Sequence, residues 1–289
     1  MSIGSQNAAA AGKLAGVMGW PIGHSLSPLL HRYWLNQLNI KGDYIPLMIR
    51  PQHLEAALRS LVPMGFSGVN VTVPHKEMTA KLVDRLDPLA RRIGAVNTVI
   101  VDHNGRLFGR NTDAGGFLAH LQQSAPQWRA KNAHSLVLGA GGAAKAVVVA
   151  LLDAGAAQIY IANRTQERAQ SLVAALDDKR VVAAGWQDRT ALLKDVDLLV
   201  NSTSLGMVGQ APLDISLSLM PSGSVVYDLV YRPLQTELLK KAKARDLVAV
   251  DGLGMLIHQA VPAFDAFFGQ KPSVDAQVQD LLLKALDGD

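Results

Sequence analysis

The chain has 289 residues, of which 49% are hydrophobic, which is enough to fill two modest cores, so we expect two domains. It contains no cysteine, which excludes disulfides, thiolate metal sites and a thiol nucleophile. The formal net charge of +4 suits anionic small molecules, but lysine and arginine are spread along the chain rather than clustered with aromatic residues, so we do not expect nucleic acid as a partner.

The N-terminal stretch predicts where the protein works. MSIGSQNAAAAGK has neither the basic start nor the apolar run of a signal peptide, and no later apolar stretch long enough for a membrane span is free of charge. We therefore expect a cytoplasmic protein without membrane contact, with a frayed tail at residues 1–10.

Apolar runs of strand length then alternate with amphipathic segments, which is typical of βα units around parallel sheets. In the first half the pattern predicts strands near residues 14–19, 43–49 and 66–73, with helices near 28–40, 51–62 and 76–86. Residues 94–113 break this rhythm because two β-rich pieces flank HNG, a hairpin signal.

Residues 24–28, HSLSP, precede the first predicted helix. Ser27 suits the N-cap position and Pro28 the first helical position, so the stretch is explained as a helix entry. Its two hydroxyls, on Ser25 and Ser27, leave open whether the entry also holds a ligand.

Residues 70–76, NVTVPHK, bring Asn70, Thr72 and Lys76 to a point where a strand ends and a helix begins, which is where α/β proteins place ligands. A surface lysine usually faces solvent, so Lys76 by itself is weak evidence for catalysis. Asp113 lies at the junction of the two halves and could simply be the N-cap of a helix over 114–123.

A second alternating series begins at SLVLGAGGAA (135–144) and continues through AQIYIANRT, VVAAGW, VDLLVNSTS and SVVYDLVY. From Gly254 onward, apolar spacings of three and four predict helices. The fold class we expect is α/β, with an N-terminal α/β domain and a Rossmann-type, doubly wound parallel sheet.

The turn GAGGAA follows a predicted strand and opens a predicted helix, the context that a dinucleotide fingerprint requires. Its glycines allow a tight turn and close approach of the backbone to a pyrophosphate, and Ala144 occupies the third fingerprint position. We therefore expect a dinucleotide to be bound by Gly139, Ala140, Gly141, Gly142 and Ala143.

The residues after the next strand predict which dinucleotide is bound. Where an acidic residue would bond the ribose 2′-hydroxyl of NAD, the sequence reads Asn163, Arg164, Thr165. Arg168 could share one helix face with Arg164, and two guanidinium groups suit a 2′-phosphate, so NADP is favoured over NAD. Two solvated arginines are the simpler interpretation, but arginines at a helix N-terminus oppose the helix dipole.

Taken as a set, these motifs resemble the shikimate dehydrogenase family. The resemblance runs from Gly19 to about Ala263 and rests on the order and spacing of GWPIGHSLSP, NVTVPHK, GAVNT, GRNTDAGG, GAGGAA, NRT, NSTSLGM, DLVYRP and DGLGMLIHQA. It implies a substrate domain and an NADP-binding domain across a cleft, reduction of the small molecule 3-dehydroshikimate to shikimate by NADPH, and no metal.

The resemblance also implies roles for individual residues. Ser25 and Ser27 would bind the substrate carboxylate, which suits two hydroxyl donors beside a helix start. The remaining substrate contacts would come from Thr72, Lys76, Asn97, Asp113, Tyr231 and Gln259. The nicotinamide would lie near Gly252 and Met255, with Asn201, Thr203 and Leu205 in a neighbouring loop.

Lys76 and Asp113 would form the catalytic pair, and elementary chemistry agrees. Hydride transfer makes an alkoxide of the ketone, so a protonated donor must lie near that oxygen. Lys76 is cationic at neutral pH and can stabilise and protonate the oxygen. Asp113 is better suited to orient Lys76 and a substrate hydroxyl, since a carboxylate beside an ammonium stays ionised.

Three histidines, His24, His31 and His75, are expected near the pocket, but their spacing is unlike that of a zinc pair, so metal ligation is not predicted. His75 is interpreted as a packing residue or as a support for a residue that contacts the ligand. His258, which precedes Gln259, has no role that the sequence suggests.

The domains expected are 1–112 for substrate, 113–251 for the cofactor, and C-terminal helices over 252–289 that return to the first domain. One alternative function is a quinate/shikimate dehydrogenase that also uses NAD. A second is a non-catalytic NADP-binding homologue, which would be expected to lack Lys76 or Asp113. A more distant one, methylenetetrahydrofolate dehydrogenase, fits HSLSP and DGLGMLIHQA poorly. The assembly expected is a monomer or a homodimer.

Overall fold

The first of two six-stranded sheets lies in the N-terminal half of the chain. The structure, a computed structural model, describes residues 12–287, so the tail expected at residues 1–10 lies outside the described residues. The strands of this sheet are β1 (Lys13–Gly19), β2 (Gly42–Met48), β3 (Phe66–Val71), β4 (Arg85–Leu86), β5 (Thr98–Val101) and β6 (Leu107–Arg110). Their order is β2-β1-β3-β5-β6-β4, with β1 parallel to both of its neighbours and β5 antiparallel to both of its own.

The connections of this sheet are α1 (Ser27–Gln37), α2 (Leu54–Ser60), α3 (Lys76–Leu82) and α4 (Pro88–Ile93). The hairpin expected around HNG is confirmed, because β5 and β6 pair antiparallel on either side of Gly105, whose φ is +71°. Such a φ suits glycine, which has no Cβ.

The second sheet contains β7 (His134–Leu138), β8 (Gln158–Ala162), β9 (Val181–Ala184), β10 (Leu198–Asn201), β11 (Val225–Asp228) and β12 (Val248–Val250). Its order is β12-β11-β10-β7-β8-β9 and every pair is parallel. Counted from β7, this is the strand order 3-2-1-4-5-6 of a Rossmann sheet, in which ligands bind between the first and fourth strands. The expected α/β fold with a doubly wound parallel sheet is therefore confirmed.

Helices α5 (Asp113–Ser124), α6 (Gly142–Asp153), α7 (Gln166–Leu176) and α8 (Glu237–Lys243) accompany the second sheet, and α9 (Leu253–Phe268) and α10 (Ala276–Asp287) follow it. Although α9 comes last but one in the chain, it contacts α1, β1 and β3 of the first half as well as α5. Phe264 and Phe267 of α9 share a buried cluster with Trp34 and Tyr44. The C-terminal helices thus pack against the first sheet.

Several expected element boundaries are wrong. The helix expected at 76–86 ends at Leu82 and is followed by the short strand β4, and the one expected at 51–62 divides into a 3₁₀ turn (Pro51–His53) and α2. The helix expected at 28–40 ends at Gln37, because Asn39 has a φ of +52°. Element ends depend on caps and tertiary contacts more than on periodicity.

Two expected helix caps are also wrong. Helix α1 begins at Ser27 itself with Leu26 at the N-cap position, and Ser25 Oγ instead accepts a hydrogen bond from the Ser27 amide at 3.3 Å. Helix α5 begins at Asp113 with Thr112 at the N-cap position, and the Asp113 carboxylate faces Lys76 rather than capping the helix.

Within residues 12–287, every helix is too short or too polar to cross a bilayer.

Candidate active site

The carboxyl ends of the parallel strands position most of the residues singled out in the sequence. Lys76 follows β3, Ser25 follows β1, Gly139 follows β7 and Tyr231 follows β11. Residues that follow parallel strands collect at one edge of a sheet, which is where α/β proteins bind ligands. Tyr231, although it follows a strand of the second sheet, packs against the cluster formed by α1 and α9.

Lys76 and Asp113 form a direct ion pair. Lys76 Nζ lies 2.6 Å from Asp113 Oδ2, and the two side chains are 15% and 5% exposed. Each residue is the first of its helix, Lys76 of α3 and Asp113 of α5. The pair is therefore mostly desolvated while the Lys76 side chain stays partly exposed, which is the arrangement a positioned proton donor needs.

Asn97 is the centre of a buried hydrogen-bond network around this pair. Its Nδ2 donates to Asp113 Oδ1 at 2.9 Å, to Thr112 Oγ1 at 2.8 Å and to Gln259 Oε1 at 3.2 Å. Its Oδ1 accepts from the Thr112 amide at 2.8 Å. Asn97 thus fixes both the Asp113 carboxylate and the Gln259 amide, residues that lie far apart in the sequence.

Gly116, which the sequence analysis did not single out, allows Gln259 to reach this network. A Cβ added at Gly116 of α5 would come within 2.7 Å of the Gln259 backbone nitrogen in α9. Only glycine permits so close a crossing of two helix backbones. The signal that could have revealed it is a glycine pair, Gly115 and Gly116, in the first turn of a predicted helix.

Thr72 is partly exposed after β3, whereas Asn70 is turned into the core of the sheet. Asn70 accepts a hydrogen bond from the Tyr44 hydroxyl at 2.8 Å and donates to Thr98 Oγ1 at 3.1 Å. Asn70 therefore joins strands rather than facing a ligand.

His31, expected near the pocket, is fully buried, and its ring stacks on Tyr44 at 3.9 Å between ring centres. Burial lowers the pKa of His31 to about 3, so the ring is neutral. His75 is buried, and its ring donates from Nε2 to the Ile49 carbonyl at 2.7 Å, which fits either role expected of it. His24 is exposed.

His258 acquires a role that the sequence did not suggest. Its Nε2 hydrogen-bonds to Gln123 Oε1 at 2.8 Å, which links α9 to the end of α5. The neighbouring His120 hydrogen-bonds to the Tyr227 hydroxyl at 2.7 Å, and its ring fills the space beside Gly254. Burial, and to a smaller extent the proximity of His258, lowers the pKa of His120 to about 4, and burial also lowers the pKa of His258.

The glycine turn after β7 forms an open cradle. Gly139 has a φ of +110° and lies against Ser202, where an added Cβ would come within 2.6 Å of Ser202 Oγ. Around Gly141 no atom lies within 4 Å of an added Cβ, and α6 begins at the next residue, Gly142. A helix N-terminus behind open space is a ready site for a pyrophosphate. Ala140 is buried and Ala143 is partly exposed at the same turn.

Arg164 and Arg168 are both exposed beyond β8, but their expected place on one helix face is wrong. Helix α7 begins at Gln166 with Thr165 at its N-cap position, so Arg164 precedes the helix and Arg168 lies in its first turn. Asn163 Nδ2 donates to the Thr165 carbonyl at 2.8 Å, which closes the turn. The two arginines still lie at the entry to the same helix.

The loop after β10 is organised by Asn201. Asn201 Oδ1 accepts from Thr203 Oγ1 at 2.7 Å, and Asn201 Nδ2 donates to the Leu205 carbonyl at 3.0 Å and to Asp228 Oδ1 at 2.9 Å. The Thr203 hydroxyl thus supports the loop itself.

Asp228, at the end of β11, is a residue that the sequence analysis missed. This fully buried carboxylate also accepts from Thr236 Oγ1 at 2.7 Å and from the Val230 amide at 3.1 Å. Burial outweighs these bonds and raises the pKa of Asp228 to about 6. Asp228 connects the loop after β10 to the segment that carries Tyr231.

Gly252 and Met255 lie at the start of α9. An added Cβ at Gly252 would come within 2.1 Å of the Leu229 carbonyl oxygen, so the backbone here passes directly over the segment after β11. Met255 is 8% exposed and belongs to the same buried cluster as Ala140 and Ala144. Among residues 12–287, no three acidic or histidine side chains are grouped so that they could hold a metal ion.

Three protein-family models match the chain. They are the shikimate dehydrogenase substrate binding domain over residues 17–99, shikimate/quinate 5-dehydrogenase over 120–208, and the shikimate 5′-dehydrogenase C-terminal domain over 252–276.

Sequence relatives and solved structures agree with these models. The NADP(+) shikimate dehydrogenase of Paramagnetospirillum magneticum is 55% identical over 94% of this chain and 98% of its own, and that of Rhodospirillum rubrum is 49% identical over 94% and 97%. Shikimate 5-dehydrogenase of Thermus thermophilus, solved with NADP(H) and shikimate, has a TM-score of 0.84 and 37% identity over 95% of this chain and 100% of its own. Quinate dehydrogenase of Corynebacterium glutamicum, solved with NAD, has a TM-score of 0.86 and 31% identity over 95% and 99%.

Proposed function

The chain belongs to the shikimate dehydrogenase family, and we propose that it uses Lys76 and Asp113 as its catalytic pair. It is an NADP-dependent oxidoreductase that reversibly reduces 3-dehydroshikimate to shikimate, a step of aromatic amino acid biosynthesis. The observation that carries the assignment of the pair is the contact of 2.6 Å between Lys76 Nζ and Asp113 Oδ2 at the partly exposed mouth of a buried polar network.

The residues of the glycine turn fit NADP. The open space around Gly141 and the start of α6 at Gly142 would accept the pyrophosphate, while Arg164 and Arg168 would hold the 2′-phosphate. The bound cofactor supplies the hydride for reduction of the ketone. Gly252 and Met255, with Thr203 and Leu205 in the loop that Asn201 organises, would border the nicotinamide.

Lys76 acts on the carbonyl oxygen of the substrate. Negative charge appears on this oxygen only as the ketone is reduced, so the ammonium of Lys76 stabilises the transition state more than the ground state. Lys76 then donates a proton to the oxygen. In the reverse direction neutral Lys76 accepts the proton from the shikimate hydroxyl.

Asp113 orients the reacting groups. Its Oδ2 holds Lys76, and its Oδ1 is fixed by Asn97. A substrate hydroxyl would enter this network beside the Gln259 amide, with Thr72 and Tyr231 at its margin. Held groups of this kind lower the entropy cost of reaching the reactive geometry.

Ser25 and Ser27 would bind the substrate carboxylate at the start of α1. Ser27 is the first residue of this helix, so the positive end of the helix dipole adds to the two hydroxyl donors. This carboxylate is charged throughout the reaction, so its contacts serve binding rather than the chemical step.

The experiment that tests this function is a spectrophotometric assay of shikimate and quinate oxidation, each with NADP and with NAD. We expect shikimate with NADP to be strongly preferred. The second candidate is combined quinate and shikimate activity, which the match to the quinate dehydrogenase of Corynebacterium glutamicum favours. Oxidation of quinate at a comparable rate would establish that candidate, and no oxidation in any combination would indicate a non-catalytic homologue.

We also propose the domain boundaries 1–112 and 113–251, with residues 252–289 completing the first domain. The buried cluster that Phe264 and Phe267 share with Trp34 and Tyr44 supports this discontinuous topology. A fragment of residues 1–112 should therefore be unstable unless residues 252–289 are supplied. A stable 1–112 fragment alone would overturn the proposal.

The proposed setting is the cytoplasm, with the chain as a monomer or a homodimer and without nucleic acid or membrane partners. Cell fractionation and light scattering on the purified protein test these two points. A membrane-bound fraction or a larger assembly would contradict them.

A further inference from the structure

Helix α6, which follows the glycine turn, packs directly against Lys76. A Cβ added at Gly142, the first residue of α6, would lie 3.3 Å from Lys76 Cβ and 3.4 Å from Lys76 Cδ and from Ala95 Cβ. The Lys76 carbonyl accepts a hydrogen bond from the Val96 amide at 2.9 Å. The stem of Lys76 is thus enclosed between the segment before β5 and the start of α6.

An ion pair also joins α3 to α6. Lys145 Nζ in the first turn of α6 lies 3.3 Å from Glu77 Oε1, and Glu77 is the neighbour of Lys76 in α3. Consecutive helix residues point in different directions, so Glu77 faces α6 while Lys76 faces Asp113.

Helix α3 itself gives Lys76 little support. It spans only Lys76–Leu82, and its N-cap residue, His75, makes no side-chain cap hydrogen bond. A lysine in the first turn is also opposed by the helix dipole. The orientation of Lys76 must therefore be fixed by groups outside α3.

We propose that Glu77 and Lys145 are positioning residues, whose ion pair holds the start of α3 against the glycine-turn helix and thereby fixes Lys76 for proton transfer. The proposal rests on the catalytic role of Lys76 proposed above. The pair is partly exposed, with side chains 21% and 41% accessible for Lys145 and Glu77, and such pairs contribute little to stability. Its effect should therefore appear in the rate of the chemical step rather than in the melting temperature.

A double-mutant cycle tests the proposal: Glu77→Gln, Lys145→Gln and the double variant, each measured for kcat, for KM of both substrates and for melting temperature. We expect each single variant to lower kcat about tenfold, since a small misplacement of a catalytic group has large effects on rate. The double variant should lose no more than either single one, because both changes break the same contact. KM for NADP should change little in Glu77→Gln.

The chain offers a matched control. Arg92 of α4 pairs with Asp153 at the other end of α6, so this ion pair also joins α6 to the first half but lies away from Lys76. Arg92→Gln and Asp153→Asn should keep kcat within twofold of the unaltered protein. An equal loss of kcat in these variants would overturn the specific role of Glu77 and Lys145.

The remaining outcomes are also decisive. Unchanged kcat in Glu77→Gln, or losses that multiply in the double variant, would overturn the proposal. A raised KM for NADP in Lys145→Gln alone would overturn it as well, and would make Lys145 a phosphate contact. Lys76→Ala, measured in the same assay, separates the catalytic role of Lys76 from the positioning role of Glu77 and Lys145. If kcat falls strongly in Lys76→Ala but not in Glu77→Gln, the positioning role fails and the catalytic role stands.

Discussion

Gly116 of α5 lies so close to Gln259 of α9 that an added Cβ would come within 2.7 Å of the Gln259 backbone nitrogen and of its Cβ. The two residues are far apart in the sequence, yet their contact sets the distance at which α9 crosses the start of α5. This crossing places Gln259 Oε1 3.2 Å from Asn97 Nδ2, and Asn97 in turn holds Asp113.

Gly116→Ala should therefore destabilise the protein by about 1–3 kcal/mol, the usual cost of overpacking a rigid contact. Gly115→Ala is the matched control, since no atom lies within 4 Å of its added Cβ. Alanine in place of an unhindered helical glycine should raise stability by about 0.5–1 kcal/mol. Urea unfolding of both variants measures the difference, and equal effects would show that the α5–α9 crossing can relax.

Lys76→Ala should lower kcat by about 10²–10⁴, the usual contribution of a positioned general acid, with a smaller change in KM. Shikimate oxidation should fall by a similar factor in this variant, since Lys76 accepts the proton in that direction. Steady-state kinetics in both directions check this. A near-normal kcat in the variant would move the acid to Asp113 or to a bound water.

Ser25→Ala and Ser27→Ala should mainly raise KM for shikimate and leave kcat nearly unchanged. The substrate carboxylate carries its charge in the ground state and in the transition state, so loss of a donor weakens both equally. Because Ser25 Oγ also accepts from the Ser27 amide, the melting temperature of each variant serves as the control for helix entry. A drop in kcat matching that of Lys76→Ala would contradict a binding role.

NADP should exceed NAD at least tenfold in catalytic efficiency, and replacement of both Arg164 and Arg168 by alanine should remove much of that preference. A guanidinium group contributes only where a 2′-phosphate is present, so KM for NADP should rise while the kinetics with NAD stay nearly constant. Initial rates with the two cofactors provide the measurement. Equal losses with both would exclude these arginines as readers of the 2′-phosphate.

Asp228 should make stability depend on pH. Burial raises its pKa from the ordinary value of 3.8 to about 6, so the folded protein binds the proton more tightly than the unfolded chain does. The charged, buried carboxylate therefore lowers the free energy of unfolding above about pH 6. This loss disappears as the pH falls toward 3.8, the pKa of the carboxyl in the unfolded chain.

Asp228→Asn is the comparison that isolates this group, because the amide is neutral at every pH. Its oxygen can still accept from Asn201 Nδ2, and its Nδ2 would donate to Thr236 Oγ1. Relative to this variant, the unaltered protein should gain about 1 kcal/mol of unfolding free energy between pH 7 and pH 5. Denaturant unfolding at the two pH values tests it. A stability difference that is the same at both would show that Asp228 does not titrate in this range.

The sequence by itself determined the elements and the places where chemistry could occur. Periodicity of two and of three to four residues marked strands and helices, since each element buries one face, and the turn at Gly139 was evident because glycine, strand and helix signals coincide within a few residues. The resemblance of the ordered motifs supplied Lys76 and Asp113 as a pair. These patterns are either local or consist in the order of motifs along the chain, so a single sequence is enough to reveal them.

Tertiary structure alone decided what depends on contacts between distant residues. Periodicity could not show that His31 stacks on Tyr44 in the core, that Asp228 anchors the loop after β10, or that Glu77 meets Lys145. Nor could it show why Gly116 must be glycine while its neighbour Gly115 need not be. Local sequence limits which conformations a residue can adopt, but burial and charge pairing arise only when distant segments of the chain pack together, and these packing contacts set each group's neighbours.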